Sequence, residues 1–200
     1  MRGHEKGRER KGEPKLHKAN VLRVSGPARA TVFCKGRKSR DMHEKRGDRE
    51  RMTININSVR FEGSLADGPG VRTVLFVQGC DIRCEGCQNA SAWDAAGGRK
   101  MSTEELAGLL EERCENRKLT ISGGEPLMQV EAVADLIGRL RGFDIALYTG
   151  HEREDVPEEI LSGIRYLKTG RFRREMRTAV MPYVGSSNQV FEEVTGVEEQ

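Results

Sequence analysis

No stretch of this sequence approaches the roughly 18 consecutive apolar residues that a membrane-spanning helix needs. The N-terminus is basic but lacks an apolar run of signal-peptide length, which argues against secretion. A transit peptide would be nearly free of acids, and Glu5, Glu9, Glu13, Asp41 and Glu44 argue against that as well. Cysteine is scarce and odd in number: there are 5, and three of them fall within eight residues. That is a poor disulfide framework and a good metal or cluster framework. These absences together predict a soluble, cytoplasmic protein that does not engage a membrane.

Charge is present but unevenly placed. Residues 1–51 hold 17 Lys and Arg against 7 Asp and Glu, whereas residues 52–200 hold 17 against 24. The formal net charge of +3 therefore conceals two segments of opposite sign. Residues 1–51 show no sustained periodicity and too little apolar surface to offset the entropy of ordering. They are read as a disordered basic extension, or as upstream sequence with Met52 as the working initiator. A short patch at Val21–Val24 and Thr31–Phe33 is the one candidate for a transient strand there. The basic runs carry no interleaved aromatics for base stacking, so nucleic-acid binding is not expected.

From Met52 the pattern changes, and residues 52–200 read as one domain. Residues 53–57 alternate with period two, as a half-buried strand does. Residues 72–77 form a nearly continuous apolar run suited to a strand buried on both faces. Ser102 with Glu105 forms a capping box ahead of a helix bearing Leu106, Leu109 and Leu110. A strand follows at 119–122. A helical stripe then runs through Val130, Val133, Leu136, Ile137 and Leu140, closed by Gly142. A strand at 145–148, a short helix at 156–161 and a strand at Tyr166–Leu167 complete the series. Alternating strands and helices predict an α/β fold with a parallel sheet. About 150 residues are too few for a closed eight-unit barrel, so an open partial (β/α) barrel is expected. In such sheets chemistry gathers at the carboxyl ends of the strands, where the notable motifs fall.

Cys80, Cys84 and Cys87 form a C-x3-C-x2-C motif directly after the second strand. The spacing lets three thiolates converge from one tight loop, with Gly86 relieving crowding and Arg83 and nearby backbone N–H groups available to offset negative charge. Three thiolates on a 4Fe–4S cube leave one iron open to a substrate. The competing reading is structural zinc, which needs a fourth N or S ligand. Cys114 and His151 are the candidates for it, because Cys34 and the other histidines lie in the basic extension. In that reading the chain would be a zinc-binding nucleic-acid module. Downstream, Gly123-Gly124-Glu125-Pro126 sits at a strand end: two glycines permit close backbone approach, and the carboxylate can accept from an ammonium group.

The run from Asp67 through Gly70 to Arg72, Gln78-Gly79-Cys80, Cys84, Cys87 and Gln88-Asn89, together with Ile121 to Leu127, resembles the radical S-adenosylmethionine activating enzymes. Tyr166 to Phe172 and Gly185 to Gln189 are most similar to the branch acting on anaerobic ribonucleoside-triphosphate reductase. A pyruvate formate-lyase activase-like enzyme is the nearest alternative. The resemblance implies a 4Fe–4S cluster on Cys80, Cys84 and Cys87, with S-adenosyl-L-methionine on the open iron. It assigns Gly123, Gly124 and Glu125 to the methionine ammonium. Asn89 is assigned to the cofactor or to loop capping, and Tyr148-Thr149-Gly150 to the adenosine pocket. It further implies a 5′-deoxyadenosyl radical, a large glycyl-radical reductase subunit as target, and a one-electron donor such as flavodoxin or ferredoxin. Two departures stand out: Gly86 where many relatives carry an aromatic residue, and Arg165 where an acidic residue is expected.

Overall fold

The computed structural model describes residues 52–194. The basic extension, its candidate strand patch and Cys34 lie outside the described residues. The chain from Thr53 builds one seven-stranded sheet flanked by helices on one face. Its elements are β1 (Thr53–Ser64), β2 (Arg72–Val77), β3 (Arg99–Ser102), α1 (Thr103–Arg113), β4 (Lys118–Gly123), α2 (Val130–Arg139), β5 (Asp144–Tyr148), α3 (Glu158–Leu161), β6 (Tyr166–Thr169) and β7 (Val190–Glu193).

The strand order is β3-β1-β2-β4-β5-β6-β7, an open sheet whose end strands are not paired to each other. The pairs β2–β4, β4–β5 and β5–β6 are parallel, as the β-α alternation predicts. The flanks are antiparallel and were not foreseen: β1 pairs with both β2 and β3, and β7 pairs with β6. β1 also runs to Ser64, well beyond the 53–57 expected, because its second half is held by β2 rather than by its own pattern. β3 and β7 are four-residue edges too short to carry a period.

The helices match their signals closely. The capping box is present on both sides: the Ser102 hydroxyl accepts from the Glu105 N–H, and the Glu105 carboxylate accepts from the Ser102 N–H. α1 buries Leu106 and Leu110 as expected, with Ala107 beside them, while Leu109 is only half-buried. α2 buries Ala132, Val133, Leu136 and Ile137. Of these, each fully buried leucine or valine contributes roughly 1.5–3 kcal/mol.

The two faces of the sheet differ in kind. Leu75, Val77, Leu119, Ile121, Ile145, Leu147 and Leu167 form the core with Ile54, Ile56 and the helices. The alternate positions carry Arg72, Thr120, Ser122, Tyr148 and Lys168. Side chains alternate faces along a strand, so these polar groups share the side away from the helices. Arg72, fully buried, ties that side together. Its guanidinium donates to the Thr120 hydroxyl (2.9 Å), the Leu119 carbonyl (2.8 Å) and the Asp144 carbonyl (2.6 Å), and pairs with the Asp144 carboxylate at 3.0 Å.

Candidate active site

The carboxyl ends of β2, β4, β5 and β6 open into a cavity of about 590 Å³. All seven residues expected to bind metal or cofactor line it: Cys80, Cys84, Cys87, Asn89, Gly123, Gly124 and Glu125. Tyr148, Thr149 and Gly150 line it too. Its volume falls in the range of small-molecule sites.

The cysteines lie in the loop after β2. That loop is pinned at its root, where the Gly79 and Cys80 N–H groups donate to the Ala92 and Trp93 carbonyls. Two amides brace it from below. Buried Gln78 donates to the Ser91 and Asp94 carbonyls, and Gln129 donates to the Asn55 and Gln78 carbonyls. Burial pushes the Cys80 thiol up from its ordinary range, while the backbone N–H groups of Arg83 and Ile82 bond to it and oppose the shift. The Asn89 N–H reaches the Cys87 sulfur at 3.4 Å. The backbone, rather than the exposed Arg83 side chain, thus presents positive dipole to the sulfurs. Asn89 starts the short 3-10 turn Ala90–Ala92 without a side-chain cap, so the loop-capping alternative is not realised.

Among the described residues, no three His, Cys, Asp or Glu side chains converge on single-ion spacing. Zinc requires four ligands within about 2.3 Å of one point. Neither candidate fourth ligand is available for it. Cys114 is buried at the end of α1, where β4 begins, and β4 runs parallel to β2. Six strand residues, roughly 20 Å, therefore separate it from the cysteine loop. His151 does not line the cavity, and its Nδ1 stands 3.9 Å from Asp155. Three thiols on one wall of a cavity, with inward backbone N–H groups and open space beside them, suit a multi-iron cluster with a vacant corner.

The glycine-rich turn is also packed tightly against the chain itself. A Cβ on Gly123 would come within 2.6 Å of the Val77 nitrogen, and one on Gly124 would overlap the Gly79 carbonyl oxygen. Their small size is demanded by the chain's own β2 strand and its exit, with Gly123 at φ +108°. Glu125 is 1% exposed. One carboxylate oxygen accepts from the Leu127 N–H (2.9 Å) and the Thr149 hydroxyl (2.7 Å), the other from the Gly150 N–H (2.9 Å). The side chain therefore fastens the end of β4 to the end of β5. Burial raises its pKa, and the three donors pull it back.

Lys168 was given no role of its own in the sequence; its signals were its place in the Tyr166–Phe172 resemblance and its cavity-facing position in β6. Half-buried on the cavity wall, its ammonium lies 4.1 Å from the Tyr148 ring centroid. Burial lowers its pKa to about 8, against the pull of Asp67, Glu125, Cys87 and Cys84. The Tyr148 hydroxyl is buried without a hydrogen-bond partner, and burial raises its pKa. Gln189, within the segment that carried the late resemblance, closes the far wall: it accepts from the Gly185 and Ser186 N–H groups and donates to the Gly170 carbonyl. Arg165 lies at the opposite end of β6, exposed and paired with Glu193 at 2.9 Å, so its departure leaves the cavity untouched.

Fold and site together define an iron–sulfur domain of the radical S-adenosylmethionine class, and comparisons with known proteins agree. Residues 66–192 match the family model described as 4Fe-4S single cluster domain. The chain is 34% identical over 144 residues to the anaerobic ribonucleoside-triphosphate reductase-activating protein of Vibrio cholerae, covering 66% of this chain and 93% of that one. It is 41% identical over 113 residues to the pyruvate formate-lyase-activating enzyme of Clostridium pasteurianum, but spans only 47% of that relative. Among solved structures, QueE from Escherichia coli aligns with a TM-score of 0.44 at 17% identity, covering 57% of this chain and 68% of that one. The chain belongs to the family of anaerobic ribonucleoside-triphosphate reductase-activating proteins, radical enzymes built on a 4Fe–4S domain.

Proposed function

We propose that Cys80, Cys84 and Cys87 hold the cluster, that S-adenosyl-L-methionine binds at its open iron, and that the product is a glycyl radical on the large reductase subunit. The observation that carries this reading is the cavity shared by three cysteines, the Gly123–Glu125 turn and Lys168 at the carboxyl ends of four parallel strands. The cluster supplies the one-electron cleavage of the sulfonium that yields a hydrogen-abstracting radical.

The chain's own residues position and shield. Backbone N–H groups around Cys80 and Cys87 offset the charge of the thiolates. The carboxylate of Glu125 is spent on Leu127, Thr149 and Gly150, so its part is to fix the turn. The methionine ammonium is then left to the cavity-facing backbone of Gly123 and Gly124. Lys168 is the cation on the cavity wall that suits a carboxylate. Asn89 and Tyr148 offer unspent polar groups to the nucleoside. An external one-electron donor such as flavodoxin or ferredoxin would supply the electron to a cluster held by Cys80, Cys84 and Cys87. Residues 52–200 act as the catalytic domain, in a cytoplasmic setting without membrane or nucleic-acid partners.

The test is anaerobic reconstitution with iron and sulfide, followed by reduction and measurement of 5′-deoxyadenosine from S-adenosylmethionine. Cys84→Ala is expected to abolish both the cluster absorbance and the cleavage. Glycyl-radical signal on added ribonucleotide reductase, with none on pyruvate formate-lyase, separates the proposed target from its nearest alternative. A colourless protein binding one zinc would overturn the reading.

A further inference from the structure

Positive charge is concentrated beside the cysteine loop. Residues 52–194 carry 17 Lys and Arg against 22 Asp and Glu, yet residues 168–177 carry five against one. This segment leaves β6 and passes along the loop with its side chains divided between two directions. Lys168, Gly170 and Phe172 line the cavity. Arg171, Arg173 and Arg174 do not line it, and all three are exposed. Arg171 donates to the Ile82 carbonyl at 2.5 Å, and Arg174 lies across Gly86 with its Nη1 3.4 Å from Glu85. A Cβ on Gly86 would stand 3.3–3.7 Å from the Arg174 methylenes, so the missing aromatic at this position is what gives the arginine its seat. Arg174 and Glu85 are 68% and 84% exposed, a pair weak enough for an incoming acidic group to compete for the arginine. Exposed Arg83 adds to the same outer surface.

We propose that this outer face of the cysteine loop, centred on Arg173 and Arg174, is the docking surface for an acidic one-electron carrier protein. The inference rests on the proposed cluster, and the division of side chains favours this occupant. A reductase segment offering a glycine has to enter the cavity, where Lys168, Phe172 and Arg177 face it. An electron needs only proximity to the sulfurs, and the loop that bears them is reached from outside. Complementary charge speeds such brief, small encounters more than it tightens them. The step is a single electron transfer: the reduced carrier loses one electron, the cluster gains it, and no bond forms or breaks.

The experiment uses the reconstituted holoenzyme with flavodoxin as probe. Binding of oxidised flavodoxin is followed by calorimetry at low and high salt. Cluster bleaching is followed by stopped flow after mixing with reduced flavodoxin. Arg173→Glu/Arg174→Glu is expected to weaken binding and slow bleaching by on the order of ten-fold or more. The milder Arg173→Gln/Arg174→Gln should fall between, which keeps the test open if charge reversal disturbs folding. Dithionite-driven bleaching should be the same in wild type and variants, and Lys100→Glu on β3 should match wild type throughout. Wild-type affinity should fall as salt rises. Unchanged binding and bleaching in both double variants, or salt-independent binding, would overturn the docking surface. So would a DNA duplex that binds more tightly than flavodoxin and displaces it from wild type but not from the variant. If dithionite fails to bleach wild type, the cluster reading fails, while the calorimetric comparison still decides the docking surface.

Discussion

At the scale of single residues, the site depends on groups whose charges are held away from water. Replacing Glu125 with Gln keeps the shape but turns one acceptor into a donor facing the Gly150 N–H or its neighbours. That mismatch is expected to cost about 1–3 kcal/mol, read as a lower urea midpoint of the cluster-free protein. Lys168 gives a pH signature. Its folded pKa is about 8 against an ordinary 10.5, so between those values the unfolded chain binds the proton and the folded chain does not. Stability of the cluster-free protein should therefore rise with pH across that window. The rise attributable to Lys168 is on the order of 2 kcal/mol after allowing for its partial exposure. The difference between wild type and Lys168→Met, measured from pH 7.5 to 10.5, isolates it from the thiols that titrate in both. Of these residues the sequence announced the cysteines, the glycines and Glu125, because their spacing is unusual. It quoted Lys168 only within the Tyr166–Phe172 resemblance and gave it no role, because one lysine in a strand looks like any other. It gave no sign that Gly123 and Gly124 are also crowded by a strand about 46 residues earlier in the chain.

At the scale of elements, legibility followed length and local chemistry. α1 was readable from its capping box, and Ser102→Ala should cost about 1 kcal/mol of stability. Of the central parallel strands, β2 and β5 were readable as short apolar runs, while β4 and β6 were placed by their alternation with the helices. The edges β3 and β7 were not, since four residues on a rim take their conformation from a neighbour. Arg72 was quoted only as part of a motif, yet it joins β2 to β4 and β5 through four hydrogen bonds from a site without solvent. Arg72→Met leaves the Asp144 carboxylate and two carbonyls without that partner. A loss of about 3–5 kcal/mol is expected, observable as an early unfolding midpoint.

At the scale of the whole molecule, the sheet starts at Thr53 and the family match at residue 66. The chain beginning at Met52 is therefore expected to take up the cluster and cleave S-adenosylmethionine as the full chain does. A truncated protein that cannot be reconstituted would refute the domain boundary. Cluster removal should loosen the loop from Cys80 to Asn89 selectively, while β4 and β5 stay protected. Hydrogen exchange before and after chelation would resolve the two. Among the described residues no helix is long and apolar enough to cross a membrane.

The two-sided sheet has a consequence for how this chain can change. Because core and cavity are reached from alternate positions of the same strands, neighbouring codons belong to different selective regimes. In β4 a saturating mutational scan should separate Leu119 and Ile121, where losses appear as reduced protein abundance, from Ser122 on the cavity wall, where abundance is less affected than activity. Thr120, bonded to Arg72 and to the Asp67 carbonyl, should behave as the core positions do. Such a gene can explore new chemistry at the cavity-lining ends of its strands while the scaffold stays intact.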